Sequence, residues 1–186
     1  MAARPNAEKL KKLLEKSEYT AGQLESDNQE REDLDEADLG QWSQERMKEM
    51  ISLLEEEKMQ TAVEAKKISD DWYTHIRTRD KNLEPCFYGI RTTLQGNHLE
   101  ATWREFVFVK NGKTGKNERI VRHLAKSRDS DSYSKAIFKK LPEWVRGKAE
   151  NTEEQLARKR KRVRLISEMV KTLKQYEKLL KDENYF

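Results

Sequence analysis

Two stretches of this chain repeat apolar residues at spacings of three and four, and a stretch of a different kind lies between them. From Ser43 to about Thr78, Met47, Met50, Ile51, Leu54, Ala62, Ala65, Ile68, Trp72 and Ile76 keep that rhythm without glycine or proline, which predicts one long helix. Ser43, following Gly40, is its expected N-cap. Lys58 interrupts the apolar seam, so a continuous coiled coil does not follow from it. Towards the other end, Leu156, Val163, Ile166, Val170, Leu173 and Leu180 keep an a/d-like rhythm to about Asp182, and Met169 and Tyr176 widen the stripe. Asn151-Thr152-Glu153-Glu154 just before it has the form of a capping box, which predicts the helix start there.

The segment 85–147 holds 8 of the 15 aromatic residues and five of the seven glycines. Phe87 to Leu94 reads as a strand and Gln95-Gly96-Asn97 as a tight turn. His98 to Val109 reads as a second strand and Glu118 to Leu124 as a third, joined by the loop Asn111-Gly112-Lys113-Thr114-Gly115-Lys116. On the second strand one parity gives Leu99, Ala101, Trp103, Val107 and Val109, a face to pack on a helix. The other gives His98, Glu100, Thr102 and Arg104, turning aromatic at Phe106 and Phe108. A short helix over Ser132–Lys140 is expected to end at Leu141-Pro142. The fold class is therefore α+β, a three-stranded antiparallel sheet flanked by long N- and C-terminal helices. The expected divisions are an acidic, partly disordered extension over 1–42, the helix over 43–80, a β-meander with a short helix over 85–147, and a basic helix over 150–183.

Charge separates the same regions. Residues 1–60 hold 9 basic and 16 acidic side chains, and the remainder holds 29 and 18, so a net charge of +4 conceals a strongly basic second part. The acidic block over 25–38 reads as a solvated tail, as a phosphate mimic covering the chain's own basic surface, or as a partner-binding arm. A helix over 6–16, with Leu10, Leu13 and Leu14 on one face, precedes it.

The catalytic inventory is short. His75, His98 and His123 fall in different elements, and no HExxH, CxxC, P-loop or GxSxG pattern occurs. The glycine loop contains Gly-Lys-Thr but lacks the first glycine of a P-loop, so it reads as a hairpin turn. No metal, cofactor or catalytic residue is expected. Cys86, the single cysteine, reads as an ordinary half-buried thiol. No apolar run approaches the ~18 residues needed to span a bilayer, and no secretory signal is visible at the start.

The basic residues supply the positive indication. Arg158-Lys159-Arg160-Lys161-Arg162-Val163-Arg164 places six cations in seven residues, whose mutual repulsion a polyanion would relieve. A second group comprises Arg91, Arg104, Lys110, Lys113, Lys116, Arg119, Arg122, Lys126 and Arg128. In a meander, Arg91, Arg104 and either Arg119 or Arg122 can share one face, with lysines crowding the loop beside them. Such a ribbon suits a major groove, while Phe106 and Phe108 leave stacking on unpaired bases open. The DNA-binding set is thus Arg91, Arg104, Lys110, Lys113, Lys116, Arg119, Arg122, Lys126, Arg128, Arg158, Lys159, Arg160 and Arg162. Ile166, Val170, Leu173 and Leu180 are the expected oligomerisation seam.

From Trp72 to about Arg162 the order of landmarks resembles the MobI-type mobilisation proteins of bacterial conjugative plasmids and integrative conjugative elements. The landmarks are Ile76-Arg77, Asn82, Gly89-Ile90-Arg91, Trp103, Lys110 with its glycine loop, Tyr133, Phe138, Trp144, and Glu153-Glu154 with Ala157 before arginines. Ile90 stands where the family more usually has leucine. The resemblance covers about half the chain and implies an auxiliary protein that recognises the origin of transfer and helps the relaxase to start conjugation. It also implies a bacterial cytoplasmic setting, with double-stranded DNA and the relaxase as partners. A homodimer, able to match two-fold symmetry in a DNA site, is expected, and no membrane association. Two alternatives stand beside this reading: a helical adaptor whose charges only solubilise it, and a binder of single-stranded DNA or RNA.

Overall fold

In a computed structural model the described residues are 36–112, 115–127 and 130–182, with side chains from 42 onwards. The N-terminal helix and most of the acidic block expected from the sequence lie outside them. The elements run α1 (Glu36–Arg77), β1 (Tyr88–Gln95), β2 (His98–Lys110), β3 (Asn117–His123), a 3-10 segment (Lys135–Lys140) and α2 (Glu143–Asp182). The strands form one antiparallel sheet in the order β1-β2-β3, and among the described helices none is long and apolar enough to cross a membrane.

Both helices begin earlier than the sequence signals indicated. Gly40 lies inside α1. A glycine in a helix interior costs only about 1 kcal/mol, too little to stop a helix of 42 residues. α2 starts at Glu143, directly after Pro142, whose carbonyl accepts from Val145 N at 3.1 Å. Proline removes a donor that the first helical turn leaves unpaired in any case. It thus ends the preceding segment and opens α2 at the same point. The capping-box sequence falls in mid-helix, with Thr152 and Glu153 buried.

The chain forms two compact units, one comprising Leu53–Lys171 and the other the two ends, up to Ser52 and from Thr172. In the end unit Met47 is buried and Leu173 and Leu180 are half-buried. The central unit holds the sheet. Its core joins Ala65 and Trp72 of α1, Ile90, Leu99, Ala101 and Trp103 of the sheet, Phe138 of the 3-10 segment, and Val145, Ala149, Leu156 and Val163 of α2. Trp103 stands edge-on to Trp72 at 4.9 Å and to Phe138 at 5.0 Å. Such T-shaped pairs add about 0.5–1.5 kcal/mol beyond the area they bury.

Polar side chains close the sheet's margins. On β1, the Tyr73 hydroxyl accepts from Ile90 N–H and donates to the Ile90 carbonyl, both at 3.0 Å. Trp72 Nε1 donates to the Tyr88 carbonyl at 3.2 Å. The β1–β2 turn, with Gly96 at φ +55°, is held from two sides. Lys58 Nζ donates to Asn97 Oδ1 at 3.2 Å, and Ser167 Oγ donates to the Asn97 carbonyl at 2.9 Å. The lysine that interrupted the apolar seam of α1 is buried in that role.

Candidate nucleic-acid interface

The register decides which cations meet. Ile90 pairs with Trp103 and Thr92 with Ala101 on the core face, so Arg91 opposite Thr102 and Gly89 opposite Arg104 lie on the outer face. Across the other ladder Arg104 faces His123, Phe106 faces Val121, and Phe108 faces Arg119. Period-two alternation therefore gathers Arg91, Arg104, Lys110 and Arg119 on one side. Arg122 points the other way, opposite Glu105 at 4.0 Å, so Arg119 is the arginine that completes the shared face. Among the strand positions of this outer face, Glu100 is the single carboxylate.

Arg91, Lys110 and Arg119 are exposed and Arg104 is half-buried. No described carboxylate pairs with Arg91, Arg104 or Lys110, and Arg104 Nε is buried without a hydrogen-bond partner among the described residues. The Arg119 guanidinium lies 5.2 Å from the Phe106 ring centroid. Where β3 ends, a notch of about 310 Å³ opens along β2, lined by Arg91, Arg104, His123 and Lys126 among others. Lys126 is tethered there by Nζ donating to the carbonyls of Ser127 and Ser130. The glycine loop is a hairpin connection: Asn111 N donates to the Lys116 carbonyl and Gly115 N to the Asn111 carbonyl, both at 2.8 Å, with Gly115 at φ +68°. Lys116 is exposed in it, while Lys113 and Arg128 lie outside the described residues.

Phe106 owes its seat to Gly89. A Cβ at Gly89 would stand 2.5 Å from Tyr73 Oη and 2.7 Å from Phe106 Cε2, so only glycine lets that ring lie down on β1. Phe87 and Phe108 flank it on the same face and meet at 5.5 Å, edge to face. Unlike Phe106 they are exposed, at 45% and 54%. Phe87 is a surface ring that the sequence does not single out, although it shares the parity of Arg91, four residues on along the strand predicted from Phe87 to Leu94.

The basic run on α2 is organised differently. Arg160 is buried, and its guanidinium makes a two-pronged pair with Glu153 at 3.0 and 2.8 Å. It also donates to the carbonyls of Ala101, at 3.1 and 3.2 Å, and of Asp131. Glu153 further accepts from Trp103 Nε1 at 2.7 Å and from Tyr133 N at 2.8 Å. Around this pair, Lys159 bonds Glu64 at 2.6 Å, Arg162 bonds Glu57 and Glu64, and Arg158 bonds Glu154. Arg164 bonds Asp131 at 3.0 Å and Glu168 at 3.1 Å. The Arg164 hydrogen bond holds the Asp131 carboxyl below the usual carboxylate range. Of the four run residues expected at DNA, Arg160 does not reach the surface, and Arg158, Lys159 and Arg162 are each matched by a carboxylate of the same chain. In the expected oligomerisation seam, Ile166 and Val170 are covered within the chain.

A larger hollow of about 840 Å³ lies beside α2, but Asp131, Glu150 and Glu154 line it together with Arg158 and Lys161, a mixed field without preference for an anion. Among the described residues no three His, Cys, Asp or Glu side chains come together as metal ligands. Burial raises the Cys86 thiol above its ordinary value, which disfavours the reactive thiolate.

The family described as MobI protein matches residues 61–174, from the middle of α1 through the sheet to the last third of α2. The chain belongs to the MobI family. The resemblance read from the order of landmarks is thereby established, and it assigns this MobI protein to a family of conjugative mobilisation accessory proteins. No curated protein and no solved structure matches the chain.

Proposed function

We propose that this MobI protein is a DNA-binding accessory that recognises the origin of transfer and assists the relaxase in initiating conjugative transfer, acting as a homodimer on duplex DNA. The DNA surface is the outer face of the sheet with Lys116 of the hairpin beside it. The observation that carries the reading is the gathering of Arg91, Arg104 and Lys110 on one face without carboxylate partners among the described residues, in a chain whose other basic cluster has its arginines matched by carboxylates. Cations left unpaired in a shared field attract a polyanion, and arginines on strands suit both phosphate contacts and guanine edges.

The test is titration of the purified protein against a duplex from its own element's transfer origin at several salt concentrations. Each phosphate neutralised contributes about −0.9 to the log–log slope. The Arg91→Gln/Arg104→Gln/Arg119→Gln variant should flatten that slope by about 2 to 3 and weaken binding at least about tenfold. A wild-type affinity that does not respond to salt, or a variant that binds as the wild type does, rules the sheet face out. Footprinting on the same DNA separates origin recognition, seen as a bounded protected site, from uniform coating.

A further inference from the structure

The outer face has two chemically different ends. At one, Arg91, Arg104, His123 and Lys126 line the notch together with the carboxylate Glu100. At the other, four residues along β2 from Arg104 and so about 13 Å away, the exposed rings of Phe87 and Phe108 stand together beside Arg119. We propose that this aromatic end takes an unpaired DNA strand, its bases stacking on Phe87 and Phe108 and its phosphates following Arg119 and Arg104 towards the notch. The inference rests on the DNA-binding reading of the same face and names the form of DNA held at one part of it.

The surroundings of the rings select the occupant. Two phenyl rings exposed by about half are an apolar liability unless something covers them. A purely apolar protein partner would gain nothing from the neighbouring arginines. A second copy of the chain packed through the same face would bring the same cations against them. Duplex DNA satisfies the cations but hides its base faces inside the stack. An unpaired strand brings both a chain of phosphates and flat apolar faces, and base–aromatic stacking is indifferent to sequence. Glu100, the one carboxylate among the strand positions of the face, lies eight residues along β2 from Phe108, about 27 Å away, towards the notch and not at the rings. Phe106, pressed onto Gly89 and overlaid by Arg119, cannot stack in the same way. Phe87 replaces it as the second ring of the platform.

The experiment compares wild type with Phe87→Leu/Phe108→Leu, which keeps apolar bulk and removes the π-faces. Fluorescence anisotropy reads binding to labelled 20-nucleotide poly-dT, to the same strand with central abasic sites, and to the origin duplex. We expect the variant to lose at least about fivefold in affinity for poly-dT while duplex affinity stays within about twofold. The abasic strand should bind wild type as weakly as intact poly-dT binds the variant, because removing either side of the stack removes the same interaction. Equal poly-dT affinity of the two proteins overturns the inference, as does wild type binding duplex but not poly-dT. A fall in molecular mass by light scattering in the variant also overturns it, since a second copy would then be what covers the rings. Absence of binding to any of the three DNAs would instead remove the DNA-binding reading beneath it.

Discussion

The basic run of α2 and the basic face of the sheet have similar composition and opposite electrostatics. In the 158–164 run each arginine meets a carboxylate: Arg160 meets Glu153, Arg162 meets Glu57 and Glu64, Arg164 meets Asp131 and Glu168, and Arg158 meets Glu154. On the sheet, Arg91, Arg104 and Lys110 have no such partner among the described residues, and Arg119 rests on a phenyl ring. The denser cluster is therefore structural, and the sparser one carries the unneutralised field. Local charge density in a sequence is a poor guide to surface potential. What counts is whether the fold brings acids to the same place.

That comparison can be broken at three points. The largest effect is expected at Arg160→Met, which leaves the Glu153 carboxylate buried without its counter-charge. Breaking a buried pair in this way typically costs about 3–5 kcal/mol, measurable as a lowered urea midpoint. A loss below about 1 kcal/mol would mean that the pair is not the anchor described above. A smaller, contrasting result is expected for Arg158→Gln/Arg162→Gln. These exposed pairs contribute about 0–1 kcal/mol each, and duplex affinity should stay within about twofold, against the tenfold or greater loss expected from the sheet-face triple variant. If the α2 variant loses as much as the sheet variant, the division between the two clusters fails.

The smallest effect is a pH dependence. Arg164 depresses the folded-state pKa of Asp131, so this carboxylate contributes stability above its unfolded pKa, near 4, and loses that contribution as pH falls through the lower folded value. Melting temperatures between pH 6 and pH 3 should therefore drop slightly more for wild type than for Arg164→Gln. Parallel curves would show that the contact is too well solvated to matter.

Much of the fold was legible from local chemistry. The β-meander followed from β-formers broken by Gln95-Gly96-Asn97 and by the glycine loop, and period-two parity placed Arg91 with Arg104 before any coordinate did. Parity could not decide between Arg119 and Arg122, because the choice depends on how β3 registers against β2, which no single strand encodes. The start of α2 was misread because Asn151-Thr152-Glu153-Glu154 imitates a cap. Glu153 instead serves the indole of Trp103, 50 residues away. The role of the basic run was hidden for the same reason. Glu64 and Glu57 lie 95 and 105 positions before the cations they neutralise, and composition carries no trace of such a meeting.

The Glu153–Arg160 pair also bears on how the central unit comes apart. Its hydrogen bonds reach β2 through Trp103 and Ala101, and the segment before the 3-10 turn through Asp131 and Tyr133. A charged pair in the interior is tolerable only while every one of these partners is present. Peeling off any one element exposes the pair to a half-solvated state worse than either extreme. The middle of α2 and the central strand should therefore exchange their amide hydrogens together, through one shared opening of the whole unit.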